Sequence, residues 1–140
     1  MGKARVTLIN NLQFVGTADS GHAVVMDAPG SVGGTNAAST PMELVLMAFG
    51  GCSGMDVVSI LKKKKQDVRN LEINLDGKKA DNHPHMFTEM HIEYVLTGKD
   101  LSEEAVKRSI QLSLEKYCSV GATLSKAAKI THSYRIVKQD

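Results

Sequence analysis

Residues 40–65 read TPMELVLMAFGGCSGMDVVSILKKKK, and this stretch decides the fold. Thr40 offers a hydroxyl at the N-cap, Pro41 takes the first helical position where its missing N–H costs nothing, and Glu43 completes a capping box. The pattern predicts a helix over 41–65. From Leu44 to Leu61 apolar residues fall on nearly every face, as in a helix buried on all sides. Lys62 to Lys65 then complement the carbonyl end of the helix dipole and carry the chain into water. Inside that helix Gly50 and Gly51 each cost about 1 kcal/mol relative to alanine. A pair of them beside Cys52 implies that a neighbouring backbone or helix passes close at that level.

On the N-terminal side, residues 1–28 read as a β-meander. Val6 and Leu8, then Leu12 and Phe14, alternate with polar neighbours, and the run from His22 to Asp27 follows the turn signal Asp19-Ser20-Gly21. Residues 29–40, PGSVGGTNAAST, have nothing to bury and predict a glycine-rich loop serving as a flexible lid or connector. The loop lacks both GxxxxGK[ST] and GxGxxG, which argues against a phosphate site. On the C-terminal side Leu71, Ile73 and Leu75 alternate, Asp76-Gly77 opens a polar turn region reaching His85, and MFTEMHIEYVLTG follows as a long strand, so a β-hairpin is expected over 68–98. Ser102, Glu103 and Glu104 open a helix over 102–117 whose apolar positions include Val106, Ile110, Leu112 and Leu114. A short helix and a final strand complete the chain over 119–138. About six strands and three helices without a repeated βαβ spacing make the class α+β, in a single domain over 1–140.

Composition narrows the function classes. A chain of 140 residues suits one core. Lys and Arg number 17 against 15 Asp and Glu, a formal charge of +2, too balanced for nucleic acid or an anionic membrane as main partner. Aromatic residues at 4% supply no stacking platform for single-stranded nucleic acid. The apolar stretches fall short of the roughly 20 residues a membrane span requires, and the N-terminus lacks a signal-peptide h-region, so the expected compartment is cytoplasmic. Cys52 and Cys118, 66 positions apart and outside any CxxC spacing, are free thiols or a pair that cycles. Cys118 stands between two helices, where the free N–H groups of a helix start favour a thiolate, which makes it the more acidic of the two on this argument. His83-Pro84-His85, with His91 further on, provides no third metal ligand at a fixed spacing. No metal and no cofactor are expected.

Three segments carry a resemblance. TPMELVLMAFGGC, PHMFTEMHIEYVLTG and KYCSVGATLSKAAKI, in that order over nearly the whole chain, resemble the OsmC/Ohr family of small thiol peroxidases, and most closely its YhfA-like branch. The resemblance implies an OsmC-like α+β fold with a curved antiparallel sheet around two central helices, in an intertwined homodimer with active sites at the interface. It also implies that Cys52 attacks an organic hydroperoxide, that the sulfenic acid condenses with Cys118 to a disulfide, and that a dithiol reductant restores both thiols in oxidative-stress defence. An apolar pocket lined by Met47, Phe49 and Met55 would favour organic substrates.

The chain departs from the family pattern at three places. The hairpin arginine of peroxidatic members is absent around Gly16–Asp19, Met42 occupies the position of a catalytic glutamate, and Ser119 stands where a proline often follows the second cysteine. Glu43, nine residues before Cys52 and about 100° around the helix from Met42, is the remaining candidate for a third catalytic residue. A second function class stays open: a non-enzymatic dimer binding a small apolar ligand at its interface, with structural or redox-sensing cysteines.

Overall fold

The computed structural model describes residues 1–140. They divide into two compact units, Met1–Val45 and Leu46–Asp140.

In the first unit, β1 (Ala4–Asn10), β2 (Gln13–Ala18) and β3 (Ala23–Met26) form an antiparallel meander in that order. The tight turn between β1 and β2 places Asn11 in the left-handed region at φ 50°, which asparagine tolerates better than most residues. The following loop is held by one buried carboxylate. Asp27 accepts the N–H of Ala28 at 2.7 Å, the N–H of Ala37 at 3.0 Å and the hydroxyl of Thr35 at 2.7 Å. These bonds hold its carboxyl down at about 2, the Thr35 hydroxyl contributing most. The glycine-rich loop is therefore no bare connector: it is tied to Asp27 and contains a 3₁₀ turn at Gly30–Val32.

The first turn of α1 (Pro41–Lys63) has the expected reciprocal cap. The N–H of Glu43 donates to Thr40 Oγ1 at 3.2 Å and the N–H of Thr40 donates to Glu43 Oε1 at 2.9 Å. The helix continues into the second unit, but it is not buried on all sides. Phe49, Gly50, Ser53, Gly54, Val57 and Leu61 are buried, while Met47, Met55 and Val58 remain exposed. By length and composition α1 would pass for a membrane span, contrary to the sequence expectation. Its buried stripe instead belongs to a protein core.

That core lies against a second three-stranded sheet, ordered β4 (Asp67–Lys79), β5 (Phe87–Lys99), β6 (Lys129–Lys138). In central strand β5, Met90, Ile92, Tyr94 and Leu96 alternate onto one face and are almost fully buried with Phe49, Val57, Leu61, Val106 and Ile110. Each such apolar side chain contributes about 1.5–3 kcal/mol over its exposed state. The opposite face carries Glu89, His91, Glu93 and Thr97 beside a buried Val95, and His91 bonds the hydroxyls of Thr131 at 2.7 Å and Ser133 at 2.9 Å.

The expected α+β class stands, with the single antiparallel sheet corrected to two sheets and one parallel pairing. β4 and β5 pair antiparallel, but β6 runs parallel to β5, because α2 (Glu103–Leu112) and α3 (Ser119–Leu124) form the crossover between them. Asp76-Gly77 does not open the turn. β4 runs through it to Lys79, and Gly77 is there because the ring of Phe87 and a methyl of Leu46 occupy the space a side chain would take.

Candidate functional site

Helix α1 carries Cys52, Ser53 and Asp56 within just over one turn. Gly50 and Gly54 allow this level of the helix to approach the sheet. A methyl group on Gly50 would stand 2.6 Å from Leu75 Cδ1, and one on Gly54 2.8 Å from Ile73 Cδ1. Gly51 faces open space. Within the chain the close approach is thus made at Gly50 and Gly54, to side chains of β4.

The second thiol arrives by an irregular helix end. Beyond α2 the chain widens into a π turn, Ser113–Tyr117, closed by the N–H of Cys118 donating to the carbonyl of Ser113 at 2.7 Å. Cys118 then caps α3, its Sγ accepting the N–H of Gly121 at 3.2 Å. Only 3% of Cys118 is exposed, whereas Cys52 is half-buried, and both are free thiols. The fold brings them into one neighbourhood: Cys52 is among the groups that raise the Cys118 thiol.

The lowering of the Cys118 thiol expected from its place at a helix start is not found. Burial pushes its thiol up to about 11, the Gly121 N–H opposing this, and Cys52 and the Asp56 carboxylate adding to it. Helix-start N–H groups do act on the sulfur. Desolvation outweighs them.

Next to the thiols lies a buried hydroxyl chain that sequence reading missed. Ser113 donates to Asp56 Oδ2 at 3.0 Å, which commits its only proton. Ser53 must therefore donate to Ser113, at 2.7 Å, and Tyr94 to Ser53, at 2.5 Å. Burial drives the Tyr94 phenol up to about 12, so it remains a donor across the physiological range. A signal was available: Ser109 and Ser113 continue the buried stripe of Val106 and Ile110 at helical spacing, and hydroxyls in such a stripe require partners.

On the exposed side of α1 an open groove of about 830 Å³ runs between the helix and β4, lined by Met47, Met55, Val58, Leu71, Ile73 and Leu75 among others. Of the three residues expected to line a pocket, Met47 and Met55 lie on this groove, which neither thiol lines. Phe49 does not: it is fully buried, its ring 2.9 Å from where a methyl on Gly121 would stand. Glu43 belongs to the cap of α1. Arg108 donates to Gln111 along its own helix at 3.0 Å.

Comparisons with known proteins agree with this architecture. The family model for OsmC-like protein matches residues 34–133. Protein YhfA of Escherichia coli (strain K12) is 47% identical over 135 residues, covering 96% of this chain and 98% of that protein. The crystal structure of a hypothetical protein from Aquifex aeolicus VF5 superposes with a TM-score of 0.87 at 31% identity, covering 100% of this chain and 98% of that one. An organic hydroperoxide resistance protein OsmC from Legionella pneumophila shares the fold, with a TM-score of 0.68 at 11% identity over 96% of each chain. On the family match and the extent of these likenesses, the chain belongs to the OsmC-like family.

Proposed function

We propose that this protein reduces organic hydroperoxides through a Cys52/Cys118 thiol cycle, in defence against oxidative stress. The observation that carries the reading is that two free thiols from different elements, one half-buried and one enclosed, lie near enough for Cys52 to raise the Cys118 thiol. Structural relatives named for organic hydroperoxide resistance, from Legionella pneumophila and Elizabethkingia anophelis, support the reaction class.

The roles follow from access and proton affinity. Cys52, half-buried, is the thiol that meets the peroxide. Its sulfur attacks the terminal oxygen of ROOH, the O–O bond breaks, and the departing alkoxide takes a proton to give ROH and Cys52 sulfenic acid. Cys118 keeps its proton until then. Its sulfur attacks the Cys52 sulfur, and the released hydroxide leaves with the thiol proton as water, forming the disulfide. A dithiol reductant reverses this by two exchange steps, consistent with a reducing, cytoplasmic setting. Glu43 serves this reading as the cap of the helix carrying Cys52.

The working form in this reading is a homodimer. Met47 is 50% exposed, Met55 75% and Val58 42%, an apolar strip along the groove that a second copy would cover. The same groove favours a second reading, a dimer that binds an apolar ligand without turnover.

Thiol counting separates the two. Reduced protein mixed with a slight excess of cumene hydroperoxide should lose two thiols per chain within seconds. Thiols unchanged over many minutes contradict the reductase and leave the binding reading.

A further inference from the structure

The hydroxyl chain joins three elements at the level of the thiols. Asp56 lies one helical turn after Cys52 and Ser53 lies next to it. Ser113 bonds both through its hydroxyl, and its carbonyl receives the N–H of Cys118. Tyr94 anchors the far end of the chain to the central strand. The residue that starts the π turn is thus fastened on its side-chain face to the Cys52 helix and on its backbone face to Cys118. In this arrangement each donor has one direction, and the chain ends on a carboxylate, the acceptor that most strengthens a run of hydroxyls.

We infer that Asp56, acting through Ser113 and with Ser53 and Tyr94 behind it, is a positioning residue that sets the registry between the two thiols and so governs closure and opening of the Cys52–Cys118 disulfide. The inference rests on the two-thiol reading, but it concerns the pairing of the sulfurs and not the attack on peroxide. Loss of the Asp56–Ser113 bond frees the π turn, and Cys118 then samples positions away from Cys52. The effective concentration of one thiol at the other falls accordingly.

The test is the thiol–disulfide equilibrium in a glutathione buffer, where two protein thiols and one oxidised glutathione give the intrachain disulfide and two reduced glutathiones. No peroxide enters it. A protein that fails to consume hydroperoxide therefore still reports on the clasp. Asp56→Ala should lower the equilibrium constant for the intrachain disulfide about tenfold, a change of about 30 mV for a two-electron couple. Asp56→Asn keeps an acceptor oxygen for Ser113 and should stay within about twofold of the parent. Ser113→Ala removes the same bond from the other end, should match Asp56→Ala, and serves in its place if that variant does not fold. An unchanged constant in Asp56→Ala, or equal losses in Asp56→Ala and Asp56→Asn, overturns the assignment.

Discussion

Gly121 lies against the sulfur of Cys118: its N–H donates to Sγ at 3.2 Å, and a methyl group on its own Cα would stand 3.2 Å from that same atom. The ring of Phe49 closes the other side at 2.9 Å. Gly121→Ala should therefore press on a fixed ring and on the thiol together. The expected loss is about 1–3 kcal/mol by overpacking, with slower disulfide closure. Urea denaturation and the rate of thiol loss check the two effects, and a variant with parental values for both contradicts the packing described.

The pH dependence of stability follows from three groups, two acting at the alkaline end and one, of opposite sign, at the acid end. The Cys118 thiol is raised from 9.0 to about 11 in the folded protein, so the folded state holds the proton more tightly. Its contribution is complete below about pH 9 and is lost as pH rises through about 11. Tyr94, raised to about 12, acts in the same direction at still higher pH. Cys118→Ala should flatten the alkaline limb of stability measured by denaturant titration across that range.

At the acid end Asp27 has the reverse sign. Its carboxyl falls from 3.8 to about 2 on folding, so its contribution is present above about pH 3.8 and fades as pH drops through about 2. Asp27→Asn should remove that dependence and speed amide exchange at Ala28 and Ala37, whose N–H groups it accepts. Hydrogen-exchange mass spectrometry reads both amides, and unchanged protection there would contradict the clasp.

Met55, 75% exposed on the apolar strip, lies at the centre of the proposed dimer interface. Met55→Glu should weaken the dimer by tenfold or more, about 1.4 kcal/mol, without unfolding the chain. Analytical ultracentrifugation over a dilution series measures this. Equal dissociation constants for parent and variant would move the proposed interface elsewhere.

What could be read from the sequence was what neighbours along the chain decide. The capping box of Thr40 and Glu43, the alternation along β5 and the Ser102 cap of α2 are all local. The misreadings share a nonlocal cause. Gly77 resembles a turn until the ring of Phe87 is placed over it, and Cys118 resembles an acidic thiol until its burial is known. Ser53 bonds Tyr94 across 41 residues and Ser113 across 60, distances over which no periodicity carries information. Composition likewise identifies α1 as apolar without saying which face its own chain covers. Met55 is left outside and Phe49 is taken in.

The most direct test of the proposed cycle is a peptide map of the protein after one equivalent of cumene hydroperoxide per chain, with free thiols blocked before digestion. The account predicts a single linked peptide pair joining Cys52 to Cys118 within one chain. Sulfinic acid at Cys52 beside an unmodified Cys118, or two intact thiols, would contradict it.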